Sequence, residues 1–92
     1  GLYIERCDNV RVYECVAYGD PDESPKEGFG FKIRAQNENS VGMVIERCMS
    51  RDHEYGYEYS AASQYYISRR HLNNLDEGCT TALNEEGDIR DL

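Results

Sequence analysis

The sequence predicts an all-β fold in which the chain winds into a parallel β-helix, a solenoid with coils of about 22 residues. Three observations support this prediction. The phrase Ile-Glu-Arg-Cys occurs twice, at residues 4–7 and 45–48. Glycines open similar strand-like phrases along the chain, and side chains that would lie on neighbouring coils carry mostly opposite charges. We expect residues 1–92 to form one solenoid segment that is part of a longer solenoid.

A glycine begins the first strand of each predicted coil, and the following residues alternate between apolar and polar, as in a half-buried strand. These glycines are Gly1, Gly30, Gly56 and Gly78. A second strand-like phrase follows each first one, and its central residue is apolar. The central residues, predicted to form one column inside the solenoid, are Val12, Ile45, Ile67 and Ile89.

The spacing between these two sets of residues defines the repeat. Gly56 lies 11 residues before Ile67, and Ile67 lies 11 residues before Gly78, which gives two strands in a coil of 22 residues. Two insertions account for the longer coils, one of seven residues within 19–27 and one of four within 35–40. Both segments have turn-type composition, and solenoids accommodate insertions in turns. Helical solenoids have repeats of about 33–47 residues, so this period favours strands.

The predicted alignment places opposite charges on neighbouring strands at four positions. Each such pair stabilises a sheet by roughly 0.2–1 kcal/mol. The same alignment creates one repulsive pair, between Arg47 and Arg69. The attractive pairs are Glu5 with Arg34, Lys32 with Glu58, Glu14 with Arg47, and Arg69 with Asp91.

Two features of the chain allow alternatives. Residues 68–78 contain Leu72 and Leu75 at helical spacing, but Asn73-Asn74 suits a turn, and a turn preserves the 22-residue count. The four cysteines permit two disulfides in any of three connectivities, or four free thiols. They are Cys7, Cys15, Cys48 and Cys79, and Cys15 aligns with Cys48 on the next coil.

Composition limits the partners. The net charge of −8 argues against nucleic acid, because phosphate binding requires a basic surface. No apolar run approaches the ~20 residues that a membrane span needs, so no membrane partner is expected. The end coils of a solenoid need polar caps and this chain shows no capping helix. We therefore expect either flanking coils or end-to-end self-association.

The phrases GLYIERCDNVRVYECVAYGD and GFGFKIRAQNENSVGMVIERCMSRD resemble right-handed parallel β-helix repeats of the pectate-lyase-like superfamily. The resemblance covers residues 1–70 well and 71–92 poorly. It implies a right-handed β-helix, an extracellular or cell-surface location, and a polysaccharide or other glycan as partner. It also implies that any catalysis would be lyase-like or hydrolytic, with sugar chains bound along the outside of one sheet.

The outward residues of the first strand are the candidate binding residues: Tyr3, Lys32, Arg34 and Glu58. Lyases of the resembled superfamily use a basic side chain to remove a proton beside a uronate carboxylate, which makes Lys32 and Arg34 candidate catalytic residues. The alternative is that both are structural ion-pair partners, which is the commoner role of exposed charges.

Two polar turns add further candidates. Asp52 and His53 could act together in acid–base chemistry, although turns between coils are polar in any case. Oxygen ligands in the acidic loop could bind Ca²⁺, a cofactor that often accompanies pectate-lyase chemistry, although a solvated loop would have the same composition. These ligands are Asp20, Asp22 and Glu23.

Two functional hypotheses follow. In the first, the chain is a segment of an extracellular β-helix protein that binds or processes polysaccharide, and whether it is an enzyme stays open. In the second, it is a non-catalytic structural or adhesive rod of the adhesin, surface-layer or tailspike type. The single long insertion and the scattered charges favour a binding or structural role over a catalytic one.

Overall fold

The computed structural model describes residues 1–92 and contains eleven strands and no helix. In chain order the strands are β1 (Leu2–Glu5), β2 (Arg11–Tyr13), β3 (Val16–Tyr18), β4 (Phe29–Ala35), β5 (Ser40–Glu46), β6 (Met49–Arg51), β7 (Tyr55–Ala61), β8 (Tyr66–Leu72), β9 (Leu75–Glu77), β10 (Thr81–Glu86) and β11 (Asp88–Asp91). The structure thus contains no helix that could cross a membrane.

The strands stack in three parallel sheets and form a β-solenoid of about three turns, which confirms the predicted fold class. Sheet A has the order β1-β4-β7-β10, sheet B the order β2-β5-β8-β11, and sheet C the order β3-β6-β9. Each complete coil therefore has three strands. The sequence analysis predicted only two, because the strands of sheet C have three residues each and are too short to show a period.

The predicted coil lengths are correct at the start of the chain and wrong after the second coil. Leu2 pairs with Phe31 and Phe31 with Tyr57, at the spacings of 29 and 26 residues that the two insertions predict. Tyr57 pairs with Leu83, again 26 residues on, where a coil of 22 was predicted.

A spacing of 22 occurs only between the last two strands of sheet B, where Ile67 pairs with Ile89. The four missing residues come from the final turn. Glu86 pairs with Ser60 and Asp88 with Tyr66, so one residue, Gly87, takes the place of the five residues 61–65.

The predicted interior column is correct in two halves and wrong in the middle. Val12 pairs with Ile45, but Ile45 pairs with His71, and Ile67 pairs with Ser40. The error has a simple cause. The segment 61–66 has the same four-residue turn as 35–40, so the insertion is shared by two coils.

The turn and loop predictions fare better. The seven extra residues near 19–27 are present, because a ten-residue loop separates β3 from β4 where the later coils have three residues. Residues 68–78 contain no helix, and Asn73-Asn74 forms the turn between β8 and β9.

The aligned glycines Gly30 and Gly56 lie where two sheets approach closely. A Cβ atom on Gly30 would lie 2.0 Å from the Ser50 hydroxyl oxygen, and one on Gly56 would lie 2.4 Å from an Asp76 carboxylate oxygen. Only glycine fits, because the inward side chain of sheet C occupies the space beside the start of each sheet A strand. Gly78 does not belong to this set, since Tyr55 pairs with Thr81 and the residue equivalent to Gly56 is Ala82.

The core is a continuous file of apolar and aromatic side chains in the middle coils. Burial raises the pKa of both Tyr57 and Tyr59. The Tyr57 hydroxyl lies 2.6 Å from the carbonyl oxygen of Leu75, and the Tyr59 hydroxyl lies 2.8 Å from Nδ1 of His71. The buried core consists of Val12, Phe31, Ile33, Ala35, Met43, Ile45, Cys48, Tyr57, Tyr59, Ala61 and Ile67.

Most of the predicted charge pairs are present. Lys32 and Glu58 are 2.9 Å apart, and Arg47 and Glu14 are 3.7 Å apart. Arg69 bonds to Asp91. Glu5 and Arg34 are aligned but form no ion pair. The predicted repulsion between Arg47 and Arg69 does not occur, because Arg69 is aligned with Met43.

Candidate functional site

The outer face of sheet A brings together the four binding residues that the sequence analysis proposed. Tyr3 pairs with Lys32, and Lys32 pairs with Glu58. Arg34 lies two residues further along β4. Because alternate residues of a strand face opposite sides, these side chains point away from the buried partners Phe31 and Ile33.

Two aromatic rings form the apolar part of this face. The Tyr3 and Phe29 ring centroids are 6.0 Å apart and tilted by 60°. The Lys32 ammonium lies 5.8 Å from the Tyr3 centroid and 5.7 Å from the Phe29 centroid. A cation within about 6 Å of an aromatic ring is attracted by its quadrupole, so the lysine and the rings hold one another in place.

A polar network continues the face across the next two strands. Lys32 Nζ lies 2.9 Å from Oε1 of Glu58, and the Asn84 amide donates a hydrogen bond of 3.4 Å to Oε2 of the same carboxylate. Glu58 is only 7 % exposed, which is unusual for an outward glutamate. The ion pair and the amide compensate for the burial of its charge.

Arg34 contributes a less satisfied cation to the same face. Its neighbours on the adjacent strands are Glu5 and Ser60. Its Nε is buried and has no hydrogen-bond partner in the structure. This buried N–H is not accessible to a ligand, so any ligand contact of Arg34 would come from its two terminal amino groups.

This arrangement suits binding better than proton abstraction. An ammonium held by a carboxylate, as in the Lys32–Glu58 pair, is positioned to donate hydrogen bonds. Adjacent rings offer an apolar surface, and Lys32, Glu58 and Asn84 offer donors and acceptors beside it. Ligand sites commonly combine apolar surface with a few placed polar groups in this way.

The candidate acid–base residues Asp52 and His53 lie in the turn before β7 and do not share an accessible surface. His53 is only 6 % exposed, and its Nδ1 lies 3.2 Å from the Ser50 hydroxyl oxygen. Burial lowers the pKa of His53. Asp52 instead forms an ion pair of 3.6 Å with Lys26. The two side chains therefore have separate structural partners.

The three calcium candidates lie in the long loop between β3 and β4. The backbone N–H of Asp22 donates to the Asp20 carboxylate at 2.9 Å, and the Lys26 ammonium donates to the carbonyls of Asp20 and Pro21. Glu23 donates its N–H to the Asp20 carbonyl. No group of three or more His, Cys, Asp and Glu side chains in the chain is arranged to hold a metal ion.

Sequence analysis missed several residues that complete these sites. Phe29 precedes the glycine that was taken as the start of the strand, and Asn84 was misaligned by the 22-residue period. Cys79 was also misaligned. It lies in the column of His53, whose N–H donates to its sulfur at 3.3 Å, and burial raises the pKa of its thiol. A period of 26 would have identified both Asn84 and Cys79.

No family model matches this chain, and no curated protein and no solved structure matches it. The class of molecule is therefore defined by its geometry alone. It is a parallel β-solenoid whose outer face on sheet A carries aromatic, cationic and acidic side chains side by side.

Proposed function

We propose that the chain is a segment of an extracellular, right-handed β-helix protein, similar to the pectate-lyase-like superfamily, and that it binds polysaccharide along the outer face of sheet A. The observation that carries the proposal is the Tyr3–Phe29 ring pair beside the Lys32–Glu58 ion pair. Sugar rings present apolar C–H faces to aromatic rings and hydroxyl groups to charged side chains. The strands repeat about every 4.8 Å across the sheet, so an extended chain can contact several of them.

A glycan array, read with and without Ca²⁺, tests the proposal. We expect binding to at least one acidic or neutral glycan. Titration of the best ligand should then show that Tyr3→Ala weakens binding by about tenfold or more, as removal of an aromatic anchor commonly does. Binding to no glycan would sink the proposal.

Tyr18→Ala is the matched control. Tyr18 is an exposed tyrosine of sheet C, with Arg51 5.7 Å from its ring centroid and Glu77 bonded to that arginine. Sheet C thus has an aromatic, a cationic and an acidic side chain on neighbouring strands, as sheet A has in Tyr3, Lys32 and Glu58. Equal losses for Tyr3→Ala and Tyr18→Ala would show nonspecific stacking and contradict a site on sheet A.

The same array tests the proposed cofactor. If Asp20, Asp22 and Glu23 bind Ca²⁺ and order the loop, chelation should weaken glycan binding and Asp22→Asn should abolish the calcium effect. A calcium effect that survives this substitution would exclude the loop as the site. A uronate-cleavage assay on the bound glycan then tests whether binding leads to lyase chemistry.

A structural rod is the second candidate, and one observation favours it. The first coil ends in an open depression of about 550 Å³ whose lining is mainly apolar and includes Leu2, Ile4, Val10 and Val12. Apolar surface of this kind can stack against another coil or a second copy. Sedimentation velocity over a range of concentrations should then show association that Leu2→Lys abolishes. A monomer at every concentration would contradict end-to-end self-association.

A further inference from the structure

A two-residue turn joins sheets B and C in three successive coils, and the three turns share one backbone conformation. They comprise Glu14-Cys15, Arg47-Cys48 and Asn73-Asn74. The first residue of each has a positive φ, of 52°, 53° and 54°. Because the turns superpose along the solenoid axis, their second residues form a column of Cys15, Cys48 and Asn74.

The structure joins Cys15 and Cys48 closely from both sides. Tyr13 pairs with Glu46 before the turns, and Val16 pairs with Met49 after them. Across the turns themselves, the Met49 N–H donates to the Cys15 carbonyl at 2.9 Å. Parallel strands in such contact are about 4.8 Å apart. This spacing lies within the range of about 4.4–6.8 Å between Cα atoms that a disulfide requires.

The thiol of Cys48 contacts the first coil as well as its own. Its Sγ lies 3.5 Å from the carbonyl oxygen of Val12 and 3.4 Å from that of Glu46. The Cys15 Sγ lies 3.4 Å from the carbonyl oxygen of Tyr13, the residue that follows Val12. Both sulfurs thus contact the same short stretch of backbone on coil 1.

The other two cysteines have no thiol in their columns. Cys79 is aligned with His53 and lies 3.7 Å from the Ser50 hydroxyl. Cys7, in the turn after β1, lies 3.5 Å from the carbonyl oxygen of Glu5. Of the three possible connectivities, only the one that contains the Cys15–Cys48 bond joins equivalent positions on adjacent coils.

We propose that Cys15 and Cys48 form a redox-responsive disulfide that ties the first coil to the second. Cys15 is exposed, whereas Cys48 is 1 % exposed and burial raises the pKa of its thiol. Cys15 is therefore the thiol that meets a dissolved oxidant first. Cys48 then acts as the resolving thiol, because only the neighbouring coil can reach it.

The oxidant is a small-molecule disulfide such as oxidised glutathione. The Cys15 thiolate, having lost its proton to water, attacks one sulfur of this disulfide, forms a mixed disulfide and releases one glutathione thiolate. The Cys48 thiolate, having lost its proton to water, then attacks the Cys15 sulfur and releases the second glutathione thiolate. Two protein thiols are oxidised, and one glutathione disulfide is reduced to two thiols.

Incubation of the full chain with oxidised glutathione tests the proposal. We expect two of the four thiols to be lost, and peptide mapping should find residues 15 and 48 in one cross-linked pair. Closing this loop in the unfolded chain should raise the Tm by at least about 5 °C. Dithiothreitol should reverse both changes.

Single substitutions distinguish this bond from the alternatives. Cys15→Ser, an exposed change that should leave the fold intact, should prevent both the cross-link and the rise in Tm. Cys7→Ser and Cys79→Ser should retain both. A Cys7–Cys15 cross-link, a disulfide between two chains, or glutathione that remains on Cys15 would each overturn the proposal.

Discussion

The two ends of the solenoid differ in the side chains that face its interior. At the N-terminal end the inward residues of coil 1 are apolar, as at Leu2 and Ile4. At the C-terminal end the corresponding positions hold Arg69, Glu85 and Asp91, of which the Asp91 side chain is 82 % exposed. One column of aligned residues changes from apolar to charged along the solenoid. Its members, in order, are Ile4, Ile33, Tyr59 and Glu85.

The charges at the C-terminal end form a connected network. The Arg69 guanidinium lies 4.9 Å from the Tyr59 ring centroid and bonds to Glu85 at 2.8 Å and to Asp91. His71 continues the network through its hydrogen bond with Tyr59. The aromatic core is therefore followed by a charged cluster, in which Nε of Arg69 is buried and has no hydrogen-bond partner.

The comparison shows that the exposure of an end coil does not by itself determine whether its inward side chains are apolar or charged. Leu2 and Leu83, the first and last residues of one column, are 40 % and 38 % exposed. Only the C-terminal end has polar neighbours that make contact with water favourable. We therefore expect any end-to-end association to use the apolar side of coil 1.

Removing a core ring should have the largest effect on stability. Phe31 is 2 % exposed and stacks on Tyr57 with centroids 5.4 Å apart. Phe31→Ala should lower the free energy of unfolding by about 3–5 kcal/mol, as measured by urea denaturation. The other phenylalanine supplies the control, since Phe29 lies partly exposed at the surface and Phe29→Ala should cost about 1 kcal/mol. Equal losses would show that the middle coils are not the main source of stability.

Breaking the charged network should have the next largest effect. Arg69→Ala leaves Glu85 and Asp91 without their cation, and we expect a loss of roughly 1–3 kcal/mol because both carboxylates retain some contact with water. The neighbouring Arg70→Ala should change stability by less than about 0.5 kcal/mol, since Arg70 is exposed. If the two arginines prove equivalent in denaturation, the charged network around Arg69 makes no contribution to stability.

The pH dependence of stability should give the next largest effect, through the buried His71. Burial, and to a smaller extent Arg69, lowers the pKa of His71 from 6.5 to about 4. The unfolded chain therefore binds a proton between these values while the folded chain does not, so stability should decline as the pH falls from 6.5 towards 4. His71→Phe should flatten this part of the stability curve. His53→Phe is the comparison, because its smaller shift in the same direction predicts a weaker effect.

The smallest effects should come from the leucines at the two ends. Leu2→Ser and Leu83→Ser each remove a side chain that is already partly in water, and each should cost less than about 1 kcal/mol in dilute solution. At high protein concentration the two should diverge if the N-terminal end associates, with Leu2→Ser alone losing a concentration-dependent rise in Tm. Identical behaviour of both variants at every concentration would remove the functional distinction between the ends.

Much of the fold was predictable because residues with the same structural role recur at the same place in each coil of a solenoid. The pairing of Leu2 with Phe31, of Phe31 with Tyr57 and of Val12 with Ile45 followed from glycines and apolar residues alone. The candidate face on sheet A followed from the same alignment, since Tyr3, Lys32 and Glu58 are consecutive in one outward column. The alignment failed after Ile45, because two coils share an insertion and the final coil lacks it.

The sequence by itself determined that strands stack in parallel, since side chains that recur at matched spacing can only be buried together on superposed coils. It also determined that Lys32 pairs with Glu58 and Glu14 with Arg47 on the surface. The tertiary structure alone decided that Arg69 and His71 lie inside the solenoid, that His53 is buried beside Ser50, and that Phe29 joins Tyr3. The position of Arg69 and His71 depends on an offset of four residues, and only the packed core, which favours one alignment of side chains over another, selects it.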